Sequence, residues 1–130
     1  MLVSKLKAAV RGLTTKQAGD AAEERALRHL QHAGMRLMER NYRTPGRGGG
    51  EIDLIMREPD GTTVFVEVRA RKSNTHGGAA ASISATKQRR IVFAARHYLM
   101  RLREPPPCRF DVVVIEGTAI EWLRAAFDAM

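Results

Sequence analysis

Asp53 and Glu67 are the two acidic residues whose setting invites chemistry. They lie in Gly50-Glu51-Ile52-Asp53-Leu54-Ile55 and Val64-Phe65-Val66-Glu67-Val68-Arg69, two largely apolar runs separated by a turn sequence. A carboxylate among apolar neighbours is costly unless a cation neutralises it. Two such carboxylates brought together call for a divalent ion, and hard oxygen ligands favour Mg²⁺ or Mn²⁺ over zinc. Asp53 and Glu67 are therefore the expected metal ligands.

Whether they meet depends on the elements that carry them. Ile52, Leu54 and Met56 alternate with Glu51, Asp53 and Ile55, the period of a strand; in the second run Val64, Val66 and Val68 alternate with Phe65, Glu67 and Arg69. Glu58-Pro59-Asp60-Gly61-Thr62 between them has the chemistry of a three-residue hairpin loop, with proline presetting one turn position and glycine accepting the left-handed one. If that loop is Pro59 to Gly61, Glu58 pairs with Thr62, Asp53 faces Glu67 and Glu51 faces Arg69. A loop one residue shorter or longer sends the two acids to opposite faces. The plainer alternative is an amphipathic hairpin with solvated charges on its outer face.

The chain has 130 residues, enough for one domain with a real core. A net charge of +8, with a pI of about 10.5, attracts polyanions, of which nucleic acid is the usual one. The single Cys108 excludes an internal disulfide and reads as a small packing residue beside Pro107. No apolar run approaches the length of a membrane span, and residues 1–13 are too interrupted for a signal peptide, so the cytoplasm is the expected compartment and no membrane partner is expected.

Residues 1–16 form a basic lead, loosely ordered or briefly amphipathic, and residues 17–127 a single domain. A helix is predicted from Gln17 to Ala33, with Gly34 as its left-handed cap. Glu23 falls on its apolar stripe with Ala26, Leu27 and Leu30, whereas Glu24 makes a routine surface pair with Arg28. A strand follows from Met35 to Tyr42. The loop Arg43-Thr44-Pro45-Gly46-Arg47-Gly48-Gly49-Gly50 is either a plain flexible connection or a mobile phosphate contact through Arg43 and Arg47. After the hairpin comes a loop over 71–82 with Gly77-Gly78, then a second helix from Thr86 to Arg103 stopped by Pro105-Pro106-Pro107. Lys87, Arg89 and Arg90 crowd its start, where the helix dipole disfavours cations, so this end reads either as a phosphate-facing end or as a solvated charged face. Phe110 to Ile115 reads as a central strand entered through Asp111, and Ile120 and Trp122 lie in a short last strand. His29 and His32 have no ligand pattern and read as surface residues. The order α-β-β-β-α-β-β implies an α/β fold with a mixed sheet flanked by helices.

Glu in the first helix, Asp in the second strand and Glu-x-basic in the third resemble the PD-(D/E)xK nuclease superfamily. Ala22-Glu23-Glu24-x-Ala26 with Leu30, GEIDLI at 50–55, VFVEVRAR at 64–71, Lys87-x-Arg89-Arg90 and Arg109-Phe110-Asp111-Val112-Val113 resemble more closely the YraN family of bacterial proteins. The likeness covers residues 17–127. It implies a restriction-endonuclease-like fold similar to archaeal Holliday-junction resolvases, with Asp53 and Glu67 binding Mg²⁺ and Glu23 as accessory ligand or orienter. Position 69 would hold a catalytic lysine. Here it is Arg69, which stays charged and can stabilise phosphate charge but not readily deprotonate water.

The leading expectation is a nucleic-acid-binding protein, acting as a Mg²⁺-dependent endonuclease on structured or branched DNA. Asp53, Glu67, Arg69 and Glu23 would form its centre, and Arg43, Arg47, Arg71, Lys72, Lys87 and Arg90 would track the phosphate backbone. The alternative is a non-catalytic nucleic-acid-binding or scaffold module that keeps the fold. Resolvases of similar fold work as dimers, so the resemblance admits a homodimer.

Overall fold

The computed structural model describes residues 14–71 and 83–129; the basic lead to residue 13, Lys72 and the loop with Gly77-Gly78 lie outside the described residues. The elements are α1 (Thr15–His32), β1 (Arg36–Arg43), β2 (Glu51–Arg57), β3 (Thr63–Arg71), α2 (Ala85–Leu99), β4 (Cys108–Glu116) and β5 (Ala119–Phe127). Their order is the one expected.

Helix ends differ by a few residues, for identifiable reasons. α1 begins earlier than Gln17 because Thr14 caps it: the Gln17 N–H donates to Thr14 Oγ1 at 3.1 Å and the Thr14 N–H to Gln17 Oε1 at 2.9 Å, a reciprocal capping box. Gly34, at φ +96°, closes the other end. α2 stops at Leu99 rather than Arg103. The N–H groups of Arg101 and Leu102 bond the carbonyls of Tyr98 and Leu99 three residues back, so the chain tightens into turns. Pro105 disfavours helical geometry at the residue before it. Cys108, expected to be a packing residue, is exposed at the start of β4.

The five strands form one sheet in the order β1-β2-β3-β4-β5. β3 and β4 run parallel and the other neighbours antiparallel, so the sheet is mixed. A parallel pair requires a crossover, and α2 supplies it. β4, expected to be the central strand from its apolar run, is an interior strand between β3 and the edge strand β5, and β3 takes the centre; β5 is longer than expected, nine residues, because it pairs along β4 to Phe110 across a bulge.

Each face of the sheet is covered by one helix. Ala22, Ala26, Leu27 and Leu30 of α1 pack with Leu54, Met56, Val64, Val66 and Val113. Ile91, Ala94, Ala95 and Tyr98 of α2 pack with Tyr42, Ile52, Ile55, Phe65 and Phe110. The helical period of 3.6 and the strand period of 2 are thus both satisfied, and the sheet lies between two apolar layers.

One strand breaks its own alternation. Leu54 and Met56 face α1, yet Ile52, two residues from Leu54, packs on the α2 side. The slip falls at Asp53, opposite Asn41, whose φ of 54° lies in the left-handed region that asparagine tolerates. Ile52 and Leu54 therefore do not share a face, contrary to the strand pattern. Asp53 sits at the kink.

Candidate metal centre

The hairpin closes as its turn chemistry demands. The Gly61 N–H donates to the Glu58 carbonyl and the Glu58 N–H to the Thr62 carbonyl, both at 2.9 Å, and Gly61 has φ +95°. The loop therefore holds Pro59 to Gly61, and the pairs Arg57–Thr63, Met56–Val64, Ile55–Phe65 and Leu54–Val66 follow in the expected register. Beyond Leu54–Val66 the backbone ladder ends. There the Asp53 carboxylate takes over, with Oδ2 accepting the Val68 N–H at 2.8 Å. Glu51, rather than meeting Arg69, pairs with Arg43 of β1 at 3.6 Å. Because β2 leaves β3 at Asp53, Glu51 is carried toward the other neighbour.

Glu67 is buried on the α2 side of β3 and lies within hydrogen-bond reach of the Asp53 carboxyl. Loss of solvent, then the shared hydrogen bond and charge of Asp53, push its pKa up from 4.5 to about 8. The opposing influence is Lys87, whose Nζ stands 3.4 Å from Glu67 Oε2. The first turn of α2 lies against β3, where Ser84 and Lys87 share a cleft with Glu67 to Ala70. Ser84 caps that turn by accepting the Lys87 N–H at 3.1 Å. Sequence reasoning assigned Lys87 to a phosphate contact and missed this ion pair. Position 87 in the first turn of a β-α-β crossover was the available signal. A cleft of about 540 Å³ opens here, lined by Glu67, Val68, Arg69, Ala70, Ser84 and Lys87. Arg69 thus shares the cleft with both Glu67 and Lys87.

Glu23 does turn inward from α1, but a cation holds it. Its Oε1 lies 3.7 Å from Arg40 Nε, and Arg40 Nη1 also donates to Glu24 at 2.9 Å. Burial, and next the charge of Asp53, raise the Glu23 pKa, while Arg40 lowers it. Glu24 keeps its expected partner Arg28 at 3.2 Å. Among the described residues no three histidine, cysteine or acidic groups converge as a ready cation cage. The geometry is a carboxylate pair, buried Glu67 and half-buried Asp53, with Glu23 coupled to Asp53 through charge.

These residues fit a hard divalent cation. Both donors are carboxylates, burial and then the neighbouring Asp53 hold a proton on Glu67 near neutrality despite Lys87, and Glu23 Oε1 is buried without a hydrogen-bond partner.

The remaining basic residues are spread around this centre. Arg43 and Arg47 are exposed in or beside the glycine loop. Arg71 is half-buried at the end of β3, its guanidinium 3.7 Å from Glu116. Arg90 is exposed on α2 and donates to the Gly49 carbonyl at 3.4 Å. Lys72 lies outside the described residues. His29 and His32 are exposed, with His29 edge-on to Trp122.

A separate polar network was not legible from sequence. Arg109 makes a two-pronged pair with Glu58 (2.9 and 3.0 Å) and reaches fully buried Asp111 at 3.0 Å. Asp111 also accepts from Trp122 Nε1 and the Ala125 N–H, both at 2.9 Å. This network fastens the β4–β5 bulge to the hairpin turn.

Among the described residues no helix is long and apolar enough to cross a membrane. Residues 22–115 match the Uncharacterised protein family UPF0102. The chain is 81% identical to a UPF0102 protein of Albidiferax ferrireducens over 116 residues, covering 89% of this chain and 91% of that one. A UPF0102 protein of Paracidovorax citrulli is 69% identical, with 93% and 90% covered, and one of an Acidovorax species is 68% identical, with 89% and 88% covered.

Proposed function

The chain belongs to the UPF0102 family, and on that premise we propose that it binds nucleic acid with a restriction-endonuclease-like fold and acts as a Mg²⁺- or Mn²⁺-dependent endonuclease on structured or branched DNA. The observation that carries this reading is the pairing of buried Glu67 with half-buried Asp53, with Lys87 at 3.4 Å from Glu67. A buried glutamate with a raised pKa beside a second carboxylate, lining an open cleft of a strongly basic protein, has the marks of a functional site.

Asp53 and Glu67 would hold the ion. The ion, when bound, would polarise the phosphodiester and lower the pKa of water. Val68 fixes the Asp53 carboxylate through its N–H, so one ligand is oriented in advance. Glu67 gives up its shared proton as positive charge arrives. Lys87 carries the amine that position 69 lacks, and an amine, unlike a guanidinium, can release and regain a proton. Arg69, in the same cleft, neutralises charge developing on the phosphate. Hydrolysis then adds a water oxygen to phosphorus, breaks the bond to the leaving sugar oxygen, and returns one proton to that oxygen.

The experiment is a metal titration beside a cleavage panel of labelled junction, flap and linear DNA. Saturable Mg²⁺ or Mn²⁺ binding that disappears in Asp53→Asn, with cleavage of at least one substrate, is the expected result. Metal binding unchanged by that substitution overturns the centre. A second reading, a non-catalytic nucleic-acid module, is favoured by Arg69 and by the Lys87–Glu67 pair, which already offsets part of the buried charge. DNA binding indifferent to metal would select it.

A further inference from the structure

A second cleft lies about one turn along α2 from Lys87, at Arg90. It encloses about 220 Å³ and is lined by Arg43, Thr44, the loop glycines, Glu51 and Arg90. The neck of the loop that forms it is built into the fold. It is tied where the Thr44 N–H donates to the Gly50 carbonyl at 3.1 Å and the Gly50 N–H donates to Thr44 Oγ1 at 2.7 Å. Thr44 is buried. Gly50 lies so close to α2 that a β-carbon there would stand 2.0 Å from the Arg90 carbonyl oxygen and 2.9 Å from Ala94. The loop is thereby clamped to the helix that carries Lys87, and it leads directly into the strand that carries Asp53.

We propose that this cleft is a phosphate subsite, seating a phosphodiester next to the one held at the carboxylate centre. The inference rests on the nucleic-acid reading above and adds the direction of the strand. Lys87 and Arg90 are three residues apart on α2, hence neighbours on its surface, about 5–6 Å apart at Cβ. One strand lying along this helix meets Lys87 in the first cleft and Arg90 in the second. A glycine-rich backbone allows close approach of phosphate oxygens, and a guanidinium donates two parallel hydrogen bonds to them. Glu51 at the mouth is offset by Arg43 at 3.6 Å, leaving the charge of Arg90 for the ligand. Its remaining field opposes anions, so Glu51→Gln should strengthen binding.

The probes are inorganic phosphate, followed by amide NMR of the full chain, and a duplex oligonucleotide titrated across salt concentrations without divalent metal. Phosphate should shift the amides of Gly46 to Gly50 in the parent and in Asp53→Asn, and not in Arg90→Ala. Arg90→Ala should also lower the slope of log affinity against log salt by about 1, with Arg90→Lys recovering most of it. Loop amides indifferent to phosphate overturn the subsite. So does an oligonucleotide salt slope unchanged by Arg90→Ala, and in that case the nucleic-acid reading survives. A loop response to phosphate in a protein that binds no oligonucleotide keeps the subsite and removes the nucleic-acid reading.

Discussion

The Asp53 carboxylate accepts the Val68 N–H at 2.8 Å at the point where β2 parts from β3. A side chain there does the work of a backbone carbonyl, satisfying a donor that the splayed strands would strand. Asp53 also lies within hydrogen-bond reach of Glu67. Asn41, at positive φ across from Asp53 on β1, absorbs the local twist. The centre is therefore a consequence of an interrupted ladder, not of a regular hairpin.

Glu67 makes stability depend on pH with a definite sign. Its folded-state pKa is about 8 against an ordinary 4.5, so the folded chain keeps this proton after the unfolded chain has released it. Its contribution is full below about pH 4.5 and is lost as pH rises through about 8. Thermal unfolding at a series of pH values should show the parent losing stability across that window and Glu67→Gln losing markedly less. Saturating Mg²⁺ should flatten the parent curve, because the ion replaces the proton.

Lys87 lowers the Glu67 pKa, so its removal must raise it. In Lys87→Met the Glu67 carboxyl should titrate at a higher pH than in the parent, as read by carbon NMR of the side-chain carboxyls. An unchanged midpoint would mean that the two groups are not paired in solution.

The amine at position 87 and the guanidinium at position 69 make separable contributions to cleavage. Lys87→Ala should slow Mn²⁺-supported cleavage by about 100-fold or more, the usual scale for a lost proton-transfer group. Arg69→Lys should raise cleavage, and should restore part of it in the Lys87→Ala background. Single-turnover rates on the best substrate of the panel would decide this, with DNA affinity measured alongside.

Arg109 holds a buried charge in place. Removing it in Arg109→Ala leaves Asp111 buried without its cation, which should cost about 3–5 kcal/mol in urea unfolding. Glu58→Gln, at a partly exposed partner, should cost much less. Equal losses would mean that the Glu58 arm, and not Asp111, dominates the network.

The amino-acid sequence by itself determined the order of elements, the hairpin loop and its register as far as Leu54–Val66. These are local properties: periodicity, caps and a proline–glycine turn act over a few residues. The tertiary structure decided that Glu51 meets Arg43, that Arg40 claims Glu23, and that Lys87 reaches Glu67. It also decided that the glycine loop is clamped to α2 and that Arg109 bridges Glu58 to Asp111. Each of those joins residues from different elements, or depends on which face a strand presents after a kink. Side-chain alternation carries no warning of a slip at Asp53, because a single left-handed residue on the neighbouring strand is enough to turn two faces over.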